Sequence, residues 1–339
     1  MSTTAASTAD LDAARLLLAR MGVSVEALLA AGGQRSEVPT FADYVPTVSG
    51  AVSAGTRRAY GSYWDRIVTH WGDRPITDPT PSEIKQLAEH VKANVVVRRN
   101  ARGGRGAAEH LIAALRCLYR HAEDDDLITT GDNPAIKVPK PTRRASTRRA
   151  IANDRLDEIN HIAATTGNDP ELDTLLLRLH TETACRRGGA LALRPEDLDP
   201  VQCLIFLREK AETVRWQPIS PTLMNHLIRH GTNRGAERGT RLLRRANGKP
   251  FSTRRYDHLW TRVGEHLPWA ATQGLSIHWL RHTTLTWVER NFGYAVARAF
   301  AGHAESSSEP GATATYVRAT VQEVAQAVSA LTGEPHPLA

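Results

Sequence analysis

The sequence predicts a mainly α-helical protein with a small β-sheet, organised as a helical domain followed by an α+β domain. Three observations carry this reading. At 339 residues the chain exceeds the roughly 100–200 residues usual for one domain. Apolar residues recur at helical spacing through both halves of the chain. Two short runs, CLIFLR at 203–208 and TVRWQPI at 213–219, have the length and composition of strands joined by a turn.

The elements follow in order. Residues 1–9 are small and polar, and 10–31 hold Leu11, Leu16, Leu17, Met21, Val25, Leu28 and Leu29 at helical spacing, so 1–45 reads as an extension with one helix. A helical domain over 46–136 rests on two stripes. Tyr60, Trp64, Ile67, Val68 and Trp71 form the first; Leu111, Ile112, Leu115, Leu118, Tyr119 and Ala122 form the second. Asn133-Pro134 closes the block. Residues 137–150, KVPKPTRRASTRRA, are basic, contain no acid and read as an interdomain linker.

The second domain, 151–333, starts with the stripe Leu172, Leu175, Leu176, Leu179 and continues through the strand pair. Ser220-Pro221 places a hydroxyl at an N-cap and proline at the first helical position. Ser252 precedes a helix with Tyr256, Leu259, Trp260 and Val263 on one side, and Ser276 opens another. Val321, Val324, Ala325, Val328 and Leu331 make a last amphipathic helix before the tail 334–339.

Lys and Arg outnumber Asp and Glu by 43 to 36, which favours a polyanionic partner. Cys117, Cys185 and Cys203 are odd in number and far apart, which argues against a disulfide framework or zinc cluster and for a reducing compartment. No apolar run approaches the roughly 18 residues of a membrane span. A cytoplasmic, nucleoid-associated protein is expected.

Four pieces of the second domain hold groups suited to an anion. His278 and Arg281 lie three apart on one helical face. Arg186 follows the leucine-rich helix, with Gly188-Gly189 permitting a tight turn nearby. Lys210 falls at the turn between the strands, and His303 follows Ala301-Gly302 at a helix end. Each alone suits an ordinary surface residue; together they form an ordered set.

That set resembles the tyrosine recombinase, or phage integrase, family over about residues 50 to 325. The first box is matched by Thr183, Arg186, Leu193 and Asp197, and the strand pair by Lys210, Arg215 and Pro218. The second box, His-x-Leu-Arg-His-Thr, is present as His278, Leu280, Arg281, His282 and Thr283. Ala301-Gly302-His303 resembles the usual Leu-Gly-His, and Thr313 with Tyr316 gives the Thr-x-x-Tyr ending. Thr56, Tyr60 and the stretch Leu127 to Ala135 resemble the family's core-binding domain. Two departures stand out. Gly189 occupies the place of a usual Glu or Asp, and the interval from His303 to Tyr316 is lengthened by SSSEPG.

The resemblance implies a SAM-like core-binding domain and a catalytic domain that together form a C-shaped clamp on double-stranded DNA. It implies a catalytic set of Tyr316, Arg186, Lys210, His278, Arg281 and His303, with Tyr316 forming a 3′-phosphotyrosyl link without metal, ATP or other cofactor. It also implies a homotetramer on paired recombination sites of a mobile element, helped by an accessory directionality protein, and a terminal helix that docks on a neighbouring subunit. Candidate DNA contacts are Arg98, Arg99, Arg102, Arg105, Lys137, Lys140, Arg143, Arg144, Arg148 and Arg149, with the stretch Arg229 to Lys249 beside them. Each is equally consistent with a solvated face. A type IB topoisomerase-like relaxing enzyme and a recombinase-derived DNA-binding protein without catalysis are the competing readings.

Overall fold

The computed structural model describes residues 8–24, 38–95, 102–141, 148–209, 213–302 and 319–339. The chain divides into two compact units, Met1–Arg144 and Ala145–Ala339.

The first unit opens with α1 (Thr8–Arg20), whose Leu11, Leu16 and Leu17 are exposed. Its core is built by α2 (Phe41–Ala51), α3 (Ala54–Trp71), α4 (Pro81–Ala93) and α5 (Arg105–Asp124). Side-chain caps start three of them: Thr40 accepts from Asp43 N, Ser53 from Thr56 N, and Thr80 forms a capping box with Glu83 ahead of which Pro81 takes the first helical position. Both predicted stripes face inward, with Trp64, Ile67, Trp71, Leu111, Leu115, Leu118 and Tyr119 buried. Each such side chain contributes about 1.5–3 kcal/mol. Two inward polar tips find carbonyls: Trp64 Nε1 donates to Ala114 O at 3.1 Å and Tyr119 OH to Ile76 O at 2.8 Å.

Two boundaries differ from expectation. The one after residue 45 falls inside α2, whose Phe41, Tyr44 and Val45 belong to this core, so the compact fold starts earlier. The linker's first residues are part of the unit as well, because Val138 is buried and Arg116 Nη2 donates to its carbonyl at 2.8 Å.

In the second unit, α6 (Asn153–Thr165) packs on α7 (Pro170–Thr183), whose leucines are buried. Arg186 caps the short α8 (Arg187–Ala192), so Gly188 and Gly189 lie in a helix and not in the turn expected there. The sheet has three antiparallel strands in sequence order: β1 (Leu198–Asp199), β2 (Leu204–Arg208) and β3 (Val214–Pro218). Phe206 faces Trp216 across the central pair. The added β1 is only two residues, too short to show alternation.

Ser220 caps α9 (Pro221–Asn233) as expected, accepting from Leu223 N at 3.1 Å. Ser252 precedes the next helix, α10 (Arg254–His266), its Oγ accepting from Arg254 N at 3.4 Å while Thr253 at the N-cap position makes no side-chain cap, and α11 (Pro268–Gln273) follows. Ser276 precedes α12 (Ile277–Ala301), which is interrupted at Gly293, φ 84° and ψ 171°. The final helix, α13 (Val321–Thr332), lies on α12, β3 and α7 of its own domain, where Val324, Ala327 and Val328 complete a cluster with Ala184, Val288 and Phe300. The expected tail is bound too. Glu334 accepts from Arg178 Nη2 at 2.7 Å and from Thr222 N at 3.1 Å, and His336 Nε2 meets Cys203 O at 3.2 Å.

Candidate active site

The site is assembled from helix ends. α7 finishes at Ala184 in a left-handed conformation, φ 49°, closed by its N–H on His180 O. This turn carries the chain into Cys185 and Arg186. Beneath them His180 is buried, with Nδ1 against Cys185 O at 3.0 Å and Nε2 against Tyr256 OH at 2.9 Å. Burial first of all lowers the His180 pKa to about 4, so this ring is a neutral brace at physiological pH.

Arg186 remains 35% exposed along its side chain, and its Nη1 donates to Glu209 Oε2 at 3.0 Å. Arg281 comes from α12 and is 4% exposed. Its Nη2 donates to Ala301 O at 2.7 Å and its Nη1 to Ala184 O, so one guanidinium ties together the ends of α7 and α12. Arg215 of β3 makes a parallel tie, donating to Glu209 Oε2 at 2.6 Å, Thr183 O at 3.2 Å and Ala301 O at 3.4 Å. Gly302 ends α12 at φ 60°, where a Cβ would collide with the Arg215 guanidinium.

The field here is positive. Burial and then the charge of Arg186 lower the Arg281 pKa to about 10. Burial and then Arg148, Arg281 and Arg186 hold His278 below the usual imidazole value, although this residue, one turn ahead of Arg281, is exposed. Cations that depress one another in this way are stabilised by an anion placed among them. Among the described residues no group of three or more His, Cys, Asp or Glu side chains is placed to hold a metal ion.

The structure therefore brings together Arg186, His278 and Arg281 from the predicted set, with Arg148 beside them. Lys210, His303 and Tyr316 lie outside the described residues, as do Arg98, Arg99, Arg143, Arg144 and the Arg102 side chain. On either side of the segment that contains Lys210, Glu209 N donates to Thr213 O at 2.8 Å. Arg105, Lys137, Lys140 and Arg149 are exposed in their own units. In the Arg229 to Lys249 stretch, Arg234 is not a free surface cation: it is buried against Asp169, with Nη1–Oδ2 at 2.5 Å. Glu209 escaped the sequence reading. Its signal is faint, an acid beside Lys210 at a strand end.

A family model described as the Phage integrase family matches residues 149–323. The chain belongs to the phage integrase, or tyrosine recombinase, family. The match runs from Arg149 into α13's first turn and so contains Arg186, Arg215, His278 and Arg281, with Arg148 one residue before it. No curated protein matches this integrase-family chain. Among solved structures it resembles a lambda integrase dimer bound to a COC′ core site, at 17% identity and TM-score 0.60 over 80% of this chain and 98% of that one. A lambda integrase tetramer bound to a Holliday junction matches at 16% identity and TM-score 0.59 over 92% of both chains. The Tn1549 transposon integrase in complex with transposon right-end DNA matches at 18% identity and TM-score 0.60, over 87% of this chain and 100% of that one. These likenesses establish the fold. Among the described residues no helix is long and apolar enough to cross a membrane.

Proposed function

We propose that this protein is a site-specific DNA recombinase that cleaves and rejoins DNA through a 3′-phosphotyrosyl intermediate on Tyr316, without metal or ATP. The observation that carries the proposal is the cluster of Arg186, Arg281 and His278 inside the region matched by the family. A DNA phosphodiester is anionic, so attack requires charge on its nonbridging oxygens to be neutralised as a fifth oxygen arrives. The guanidinium groups of Arg186 and Arg281 suit this task, being planar, permanently charged and able to donate two bonds. Tyr316 Oη attacks phosphorus as the bond to the 5′-oxygen breaks. His278, whose lowered pKa keeps it neutral near pH 7, takes the phenol proton or bonds the phosphate, and His303 bonds a nonbridging oxygen. Lys210 gives the departing 5′-oxygen its proton. A 5′-hydroxyl from a partner duplex then reverses the chemistry.

The same reading includes a homotetramer on paired double-stranded sites of a mobile element, at the nucleoid, with an accessory directionality protein. The Holliday-junction tetramer among the similar structures supports the tetramer, and the transposon integrase supports the mobile element. Phosphate contacts come from the basic residues of both units named above. A DNA-binding protein without catalysis is less well supported, since a carboxylate does serve Arg186 despite Gly189.

The test is Tyr316→Phe on a nicked suicide substrate in EDTA. Wild type and a Tyr294→Phe control trap a covalent complex; Tyr316→Phe binds its site normally and traps none. Adduct from Tyr316→Phe, or a strict metal requirement in wild type, overturns the mechanism.

A further inference from the structure

At the start of α8, Arg186 is the N-cap and Gly189 the third helical residue. In a capping box the side chain at that third position reaches back to the N-cap backbone N–H. Gly189 has no side chain to do so, yet the N–H is satisfied. Arg186 N donates at 2.6 Å to Oε1 of Glu209, which arrives from the end of β2. The other oxygen, Oε2, accepts from Arg186 Nη1 at 3.0 Å and Arg215 Nη1 at 2.6 Å. A Cβ built on Gly189 would stand 3.1 Å from Glu209 Cγ and 3.4 Å from Oε1. Glu209 thus fills the volume that a side chain at 189 would need. Its own side chain is fully buried.

We propose that Glu209 is a positioning residue of the active site, a strand-borne substitute for the acid missing at 189 that fixes both the backbone and the guanidinium of Arg186. This rests on the recombinase reading, in which Arg186 holds the reacting phosphate. Placement explains why one carboxylate is retained in a cluster meant to hold an anion. One oxygen fixes where the arginine leaves the backbone and the other fixes where its plane lies, while the rest of the guanidinium stays accessible. Burial disfavours the charged carboxylate, but the Arg215 charge and the Arg186 N–H outweigh it and hold the Glu209 pKa below the usual carboxylate value. The glycine and the glutamate are therefore coupled: an acid at either position serves, and an acid at both is crowded.

The experiment compares wild type with Glu209→Gln, Glu209→Ala, Gly189→Asp and the double variant Glu209→Ala/Gly189→Asp. Single-turnover formation of the covalent complex on the nicked substrate is read beside site affinity and thermal unfolding. Glu209→Gln, nearly isosteric, is expected to slow cleavage about 10–100-fold with little change in affinity, as loss of a group orienting a reactive residue does. Gly189→Asp alone slows cleavage. In the double variant the aspartate carboxyl, one bond from Cβ, enters the vacated space and recovers about tenfold or more over Glu209→Ala, a coupling of the size neighbouring residues show. A purely structural ion pair would not give that rescue. Wild-type cleavage by Glu209→Gln, or a double variant no faster than Glu209→Ala, overturns the proposal. Absence of adduct from wild type sinks the recombinase reading itself and this proposal with it.

Discussion

Replacing Arg281 with lysine keeps a cation in the chain but removes the planar fork that joins Ala184 O and Ala301 O. Both carbonyls belong to helix ends, where intrahelical partners run out. A single ammonium cannot span them, and one buried carbonyl left without its donor costs about 1–3 kcal/mol. For a unit of this size the melting temperature then falls by roughly 2–12 °C. Catalysis suffers more, since loss of a fixed donor to the developing charge costs on the order of 10²–10³ in rate. The pH response supplies a sharper signature. Burial and Arg186 bring Arg281 down to about 10, and the same surroundings would hold a lysine below its ordinary value of about 10.4. The introduced group thus loses its charge as pH rises through that lowered value, whereas the native guanidinium keeps its charge. Single-turnover cleavage by Arg281→Lys should fall on the alkaline side of neutrality, at a pH below the ordinary lysine value, while wild type does not decline for this reason. A variant as fast as wild type, with no additional fall above neutrality, would refute the reasoning.

Further outcomes follow from other contacts. Arg148→Ala removes a like charge that helps to hold His278 low, so the ring's pKa should rise and the acid limb of the cleavage profile should move to higher pH; an NMR titration that shows no movement counts against the contact. Asp173 is fully buried and accepts from Arg255 Nε at 2.7 Å and Arg262 Nη2 at 2.5 Å. Asp173→Asn should therefore cost about 3–5 kcal/mol in urea unfolding, with little dependence on salt; a loss well under that range would show that the two arginines find other partners. Changing Arg143, Arg144, Arg148 and Arg149 together to alanine should weaken binding to specific and nonspecific duplexes alike and flatten the salt slope, and an unchanged slope removes the linker from the DNA-binding surface.

The stripes of α3, α5, α7 and α10 were legible because a buried helix face repeats at a fixed interval, whatever lies opposite it. The arginine and histidine boxes were legible for a similar reason: their members sit close in sequence on single elements. Helix α2 was harder to place, since Pro46 and Gly50 punctuate it and its burial depends on partners in α3 and α5. The tail GEPHPLA carries the composition of a loop, and its attachment depends on Arg178 and Cys203, each more than 130 residues away in sequence. Glu209 was illegible for the same physical reason. Its service to Arg186 links a strand end to a helix start through space, and no periodicity marks a residue whose partner lies 23 positions away.

The anchoring of α13 has a geometric corollary for strand cleavage. Ala319 packs against the cluster that holds Val288 and Phe300, and the helix behind it is secured as far as Glu334 and His336. Two residues separate Ala319 from Tyr316, and the three peptide links between their Cα atoms reach at most about 11 Å. The phenol is therefore on a short leash whose stake is driven into its own domain. A leash of that length gives a reactive group a high effective concentration near its anchor and a steeply falling one beyond it. Carrying the tyrosine beyond that reach would first require α13 to be pulled from the cluster it completes.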